Sequence, residues 1–303
     1  MTTLKIVSVI LINGIIAFNL NACSETNNQT NAGKTSSDVD SRKDVDTLRF
    51  IKETPSVFKT PESVKYDKTK DILYVANING KPTEKDGNGF ISKLNIEGQI
   101  IDLKWITELN APKGMGIFDD KLYVTDIDEL VEISISEGKI THRFSAKDAE
   151  FLNDIDIDKN GNIYVSDMFA GKIWMLKNNT FEIWLDSEEL IGPNGLFVKG
   201  ENLLIGTKTK ILSVNLKSKK INNLIENTGS IDGLEFSGDD KYLFSDWSGH
   251  VYIAKAGGEK KLLLNTSEKK INAADIEFIR DKQLLLIPTF YHHTVSFYKL
   301  VKL

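Results

Sequence analysis

The chain has 303 residues, a single cysteine and a formal net charge of −5. One cysteine excludes an intramolecular disulfide, so the fold must be held by its core. An acidic balance without a basic cluster argues against nucleic acid as a partner.

The first segment reads as a targeting signal rather than as fold. Lys5 is followed by the apolar-biased run Ile6 to Leu20, too short to cross a bilayer core, which needs about 20 helical residues. A positive start, a short apolar stretch and a small residue before a cleavage point describe a secretory signal over residues 1–22. Leu20-Asn21-Ala22-Cys23 also resembles the bacterial lipoprotein cleavage motif, which makes Cys23 the expected lipidation site. The bland alternative is an ordinary signal with an incidental cysteine. Residues 23–47 are polar and cannot bury enough surface to offset ordering entropy, so they read as a flexible tether. The expectation is an exported, membrane-anchored lipoprotein, on the periplasmic side of a membrane or at the cell surface.

Residues 48–303 carry six copies of one pattern, recurring about every 40 residues. The copies begin PESVKYD at Pro61, PKGMGIF at Pro112, NDIDID at Asn153, PNGLFV at Pro193, IDGLEF at Ile231 and ADIEFI at Ala274. A period of this size, built of short alternating strands, predicts an all-β, six-bladed β-propeller of four-stranded blades. In the third copy the strands are DIDID from Asp154, NIYVSD, KIWMLK and TFEIWLD, with Asn160-Gly161 in the first turn. The fifth copy repeats this with DGLEF from Asp232, KYLFSD, HVYIAK and KKLLLN. The sixth copy lacks an outer strand: it supplies DIEFI from Asp275, LLLIPT and TVSFYKL, and then the chain ends. The segment Leu48 to Lys52 is available to pair with the last blade and close the ring. A closed ring has few free edges, so a monomer is expected. The first copy holds an extra loop, Asn79 to Gly89, placed between its second and third strands as a mobile surface loop or a rim over the channel mouth.

In a propeller the same point of every blade faces one channel. The second position of each copy forms such a column: Glu62, Lys113, Asp154, Asn194, Asp232 and Asp275, with Asn153 beside it. Several carboxylates gathered in one place demand protonation or a cation. A hard divalent ion takes six to eight oxygens in irregular geometry, and a partly filled site leaves room for water and substrate. Ca2+ is favoured on that ground, with Zn2+ or Mg2+ as alternatives. Lys113 opposes this reading: it can pair with Glu62 or Asp154 in a metal-free network, point outward, or meet an anionic substrate.

These residues resemble the regucalcin–gluconolactonase family of metal-dependent six-bladed propellers. The resemblance rests on Glu62 in TPES, Asn153-Asp154 in LNDID, Asn194 in GPNG and Asp232 in SIDG, in matching order and blade phase. It implies that Glu62, Asn194 and Asp232 bind the metal, and that Asn153 and Asp154 contact metal-bound water or substrate. Phe151 stands where family members often carry an Arg that holds a sugar lactone, and Thr60-Pro61 replaces a Gly-rich context.

The expected function is hydrolysis of a lactone or related cyclic ester. Asp232 or Asp154 would be the general base, Asn153 would orient the water, and Asn153, Lys113 and Asp275 would touch the small-molecule substrate. The alternative is a non-catalytic, ligand- or protein-binding propeller, since this architecture hosts many functions. The four histidines are scattered without zinc spacing, and His292-His293 reads as a surface turn. Trp174, Trp184 and Trp247 fall on blade strands and read as packing between blades, with Trp247, just past Ser245-Asp246, the best exception, since it could line the channel mouth.

Overall fold

The structure, a computed structural model, describes residues 45–302. The expected signal segment, Cys23 and nearly all of the tether lie outside the described residues. Strand β1 is Asp46–Glu53. Blade 1 is β2–β5 (Pro61–Asp67, Ile72–Asn77, Gly89–Asn95, Ile100–Leu109), and blade 2 is β6–β9 (Pro112–Phe118, Lys121–Asp126, Glu129–Ser134, Lys139–Ser145). Blade 3 is β10–β13 (Leu152–Ile157, Ile163–Asp167, Lys172–Lys177, Thr180–Asp186), and blade 4 is β14–β17 (Leu196–Lys199, Asn202–Gly206, Lys210–Asn215, Ile221–Glu226). Blade 5 is β18–β21 (Leu234–Gly238, Lys241–Asp246, His250–Lys255, Lys261–Asn265). Blade 6 takes β22–β24 (Glu277–Ile279, Leu284–Pro288, Val295–Lys302) and borrows β1 as its outer strand, in the order β1-β24-β23-β22.

The ring therefore closes as its sequence predicts. β1 runs antiparallel to β24, with Leu48 opposite Leu300 and Phe50 opposite Tyr298. The Phe50 and Tyr298 rings meet edge to face at 5.4 Å. The extra loop also falls as expected, between β3 and β4. Gly161 and Asp119 take positive φ in their hairpin turns, +79° and +53°.

Burial follows position within the blade. The second strands β7, β11 and β23 are buried along nearly their whole length, whereas the outer strands β9 and β21 are mostly open to solvent. A second strand is covered on both faces by neighbouring blades, which is why it reads as an almost unbroken apolar run. Six apolar clusters fill the six spaces between blades. Tyr123, Tyr164 and Tyr242 lie in three of them, as their common repeat phase predicts. Trp174 and Trp184 are buried in the same way.

Strand starts differ from expectation. The inner strands predicted to begin at Asp154, Asp232 and Asp275 begin at Leu152, Leu234 and Glu277. The cause lies in the column residues themselves. Pairing between β2 and β3 slips across Glu62, that between β6 and β7 across Lys113, and that between β10 and β11 across Asn153 and Asp154. Asn194, Asp232 and Asp275 lie just ahead of their strands. A bulge, or a position outside the regular ladder, re-aims its side chain; the amides of Asn194 and Asp232 still donate to the second strand, to the Gly206 and Ser245 carbonyls at 2.9 Å each.

Candidate functional site at the channel mouth

Three sets of contacts fix the column. First, the Asp that ends a second strand clasps the segment entering the inner strand. The Asp126 carboxylate accepts from the Asn110 and Ala111 amides at 2.9 and 2.7 Å, and Asp167 accepts from Glu150 and Phe151 at 3.1 and 2.9 Å. Second, buried hydroxyls reach into the next blade. Ser63 Oγ donates to the Lys113 carbonyl, Thr125 Oγ1 to that of Asn153 and Ser245 Oγ to that of Ala274, at 2.5, 2.5 and 2.8 Å. Third, glycine follows Asn194 and Asp232 because the next inner strand passes too close for a side chain. A Cβ on Gly195 would meet the Asp232 carbonyl oxygen at 2.5 Å, and one on Gly233 the Ile276 nitrogen at 2.4 Å.

The result is a pocket of about 570 Å³ at one end of the channel. Five of the seven predicted site residues line it together: Glu62, Lys113, Asn153, Asn194 and Asp232. All five are buried. Asn194 Nδ2 donates to Asp232 Oδ1 at 2.9 Å. The amides of Asn153 and Asn194 both approach the Met168 sulfur, at 3.8 and 3.9 Å. Glu62 Oε2 is buried without a hydrogen-bond partner.

Asp154 and Asp275 are not part of that lining. Asp154 instead accepts two backbone amides, Ile155 at 2.7 Å and Leu196 at 2.6 Å, so its carboxylate clips blade 3 to blade 4. Asp275 is half-buried and ties blade 6 to blade 1 through its own amide, which donates to the Glu62 carbonyl at 3.0 Å. Lys113 also departs from the ion-pair expectation. Its Nζ donates to the Ala111 carbonyl at 3.0 Å and lies 4.3 Å from the centroid of Phe151, and no ion pair joins it to Glu62 or Asp154 among the described residues.

The electrostatics are those of crowded carboxylates. Burial, and then the Asp232 charge, hold the Glu62 carboxyl well above its usual range, with Lys113 opposing. Burial raises Asp232 to about 7 against the Asn194 hydrogen bond. Burial also raises Asp154 to about 7, against its two backbone donors. The Lys113 ammonium is pushed down to about 8 by burial, with Glu62 and Asp126 pulling the other way.

Deeper in the channel lies a layer the sequence reading missed. Lys65 Nζ pairs with Glu277 Oε2 at 2.9 Å, and Glu235 and Asp156 surround the same ammonium. These groups stand two or three positions after the column residue in copies one, three, five and six, so the period of two along the inner strand was the available signal.

Also missed were the walls. Met168, Phe169, Phe290 and Tyr291 line the pocket beside Phe151 and Trp247. They sit in the hairpins between second and third strands, immediately after the repeat's last aligned residue. The long first-copy loop contributes Pro82 and Thr83 to the same mouth.

Fold and site together define a six-bladed β-propeller with a buried acidic and amide floor at its channel mouth. Among the described residues no three His, Cys, Asp or Glu groups cluster as a metal site; the candidate set is two carboxylates and an amide. No protein-family model matches the chain, and no curated protein matches it. Solved structures do match. A catalytically inactive variant of virginiamycin B lyase from Staphylococcus aureus, determined with quinupristin, superposes with a TM-score of 0.60 at 12% identity, covering 85% of this chain and 100% of that one. A streptogramin B lyase gives 0.62 at 10% identity, covering 84% and 98%. A nidogen/laminin complex gives 0.55 at 17% identity, covering 66% and 82%. At these identities the similarity establishes the propeller fold, and the neighbours include both enzymes and a binding complex.

Proposed function

We propose that this protein is a divalent-metal-dependent hydrolase of a lactone or related cyclic ester, acting in the channel-mouth pocket. The observation that carries the reading is the pair Glu62 and Asp232. Both are buried in one pocket, Asp232 is among the causes that raise the Glu62 carboxyl, and Glu62 Oε2 has no partner. A buried, unpartnered carboxylate oxygen facing a second carboxylate is costly unless a cation joins them. Glu62, Asp232 and the Asn194 amide oxygen are hard donors of the kind calcium takes, so this donor set fits a divalent ion. Bound there, the ion would supply Lewis-acid polarisation of the ester carbonyl.

The chain's own residues have the following roles in this reading. Of the three carboxylates lining the pocket, Asp246 is committed to His250 Nδ1 at 2.9 and 3.0 Å and to Ser248 Oγ at 2.5 Å. That leaves Glu62 as a ligand and Asp232 both as a ligand and as the group that takes the proton from an attacking water. Asn153 orients that water or the substrate carbonyl from the pocket floor. Lys113 is the cation available to the carboxylate product that ester hydrolysis forms. Asp154 has a structural role, because both its oxygens are already engaged.

Two of the similar propeller structures are lyases, which is compatible with an enzyme, and catalysis outside the cytoplasm, anchored through Cys23, belongs to the same proposal. A second reading is a non-catalytic binder, favoured by the exposed aromatic rim of Phe169, Trp247 and Tyr291. Protein lacking residues 1–22 separates the two. Hydrolysis of a panel of lactones that stops with chelator, returns with calcium and is lost in Asp232→Asn supports the enzyme. Calcium-dependent melting with no turnover of any lactone overturns it and leaves the binder.

A further inference from the structure

We propose that the mouth pocket selects cyclic esters with an apolar, ring-bearing body over polyhydroxylated sugar lactones; this rests on the hydrolytic reading for the reacting group and on the pocket walls for the rest of the substrate. The charged and amide groups of the pocket stand on its floor, and the mouth adds only Thr83, Ser230 and the polar edges of Trp247 and Tyr291 beside the engaged Asp246 and Ser248. Above it, two aromatic groups stand on opposite sides of the ring. On blade 3, Phe151 and Phe169 stack at 4.5 Å with 27° between planes. On blades 5 and 6, Trp247, Phe290 and Tyr291 pack edge to face, with centroids 4.8 to 5.7 Å apart.

Three of these rings stay substantially open to solvent: Phe169 is 56% exposed, Trp247 45% and Tyr291 61%. Isolated exposed apolar residues are ordinary, but three aromatics around one concavity form a surface that a ligand would desolvate. Ile78, Ile231 and Met168 fill the wall between them and offer no hydrogen-bond donor. The Asp246 carboxylate at the rim is spent on His250 and Ser248.

A sugar lactone carries hydroxyls around its whole ring. Seated on this floor, its outer hydroxyls would lose water against walls that replace few of those hydrogen bonds, and that penalty is large per group. An aryl or alkyl body gains on the same walls, because aromatic faces and edges pair favourably with one another. The pocket volume also lies in the range for drug-sized ligands, larger than one unsubstituted six-membered ring requires.

The test measures binding and turnover separately on calcium-loaded protein. Binding uses unreactive lactam isosteres, 3,4-dihydro-2-quinolinone for the aryl class and gluconolactam for the sugar class; turnover uses dihydrocoumarin and glucono-δ-lactone. The aryl lactam is expected to bind at least tenfold tighter than the sugar lactam. Phe169→Ser and Tyr291→Ser, whose rings lie outside the core, are each expected to weaken the aryl lactam severalfold and leave the sugar lactam unchanged. Equal or tighter binding of the sugar lactam, or unaltered aryl binding in both variants, overturns the proposal. Tight aryl binding with no hydrolysis of dihydrocoumarin supports this ligand class while overturning the hydrolytic reading. Faster hydrolysis of glucono-δ-lactone than of dihydrocoumarin does the reverse.

Discussion

Replacing Asp232 by Asn should stabilise the metal-free protein while removing activity. Burial lifts the Asp232 carboxyl from its ordinary 3.8 to about 7. A group raised in the folded state binds its proton more tightly there than in the unfolded chain. Its ionised form therefore opposes folding: stability falls as pH rises from about 4 to about 7 and stays low above that. At about 1.4 kcal/mol per pKa unit, the penalty at pH 8 is on the order of 4 kcal/mol, shrinking to about 2 kcal/mol at pH 5. The amide of an asparagine carries no such penalty and can still accept the hydrogen bond that Asn194 Nδ2 now gives Oδ1. It also removes the charge that helps to raise Glu62. Urea unfolding in the presence of chelator, at pH 8 and pH 5, reads this directly. The variant should be more stable by several kcal/mol at pH 8 and by roughly half as much at pH 5. Excess calcium should reverse the order, because only the wild type gains ligand-linked stability. A variant no more stable than wild type at pH 8 in chelator, or one whose advantage does not change with pH, would refute the reasoning.

Three further outcomes follow from particular contacts. Lys65→Met removes the ammonium paired with Glu277 and faced by Glu235 and Asp156; urea unfolding at pH 8 should show a loss of about 3–5 kcal/mol. That deficit should narrow as pH falls, because burial raises the Glu235 and Asp156 carboxyls and they protonate early. Gly195→Ala would drive a Cβ into the Asp232 carbonyl and the Leu234 amide; it should cost about 1–3 kcal/mol in the same assay and weaken calcium binding by displacing Asn194 from Asp232. Cys23→Ser in the full-length protein should move it from the detergent phase to the aqueous phase in detergent partitioning, and unchanged partitioning would remove the anchor at this residue.

The ring itself was legible because periodicity is a global property. Six copies in phase fix six blades, and the missing strand of the last copy fixes the pairing of Leu48 to Lys52 with β24. Periodicity also put the column at one level of the channel. It did not say which way each side chain turns there. Lys113 and Asp154 show the limit: equivalent in the alignment, one reaches the pocket while the other turns to the Leu196 amide. Direction at these positions is set by bulges, which no alternation pattern marks in advance. The aromatic walls were missed for a related reason. Phe169, Phe290 and Tyr291 lie in hairpins outside the repeat's alternating core, where only the close of the second strand at Asp167 or Pro288 indicates that the chain is passing over the mouth.

The measurement that bears most directly on the central claim is calorimetric titration of calcium into metal-free protein lacking residues 1–22, in parallel with Glu62→Gln and Asp232→Asn. One site per chain, weakened at least a hundredfold in each variant, is the predicted result. No binding to the wild type, or binding that both variants retain unchanged, would contradict a divalent ion held by Glu62, Asn194 and Asp232.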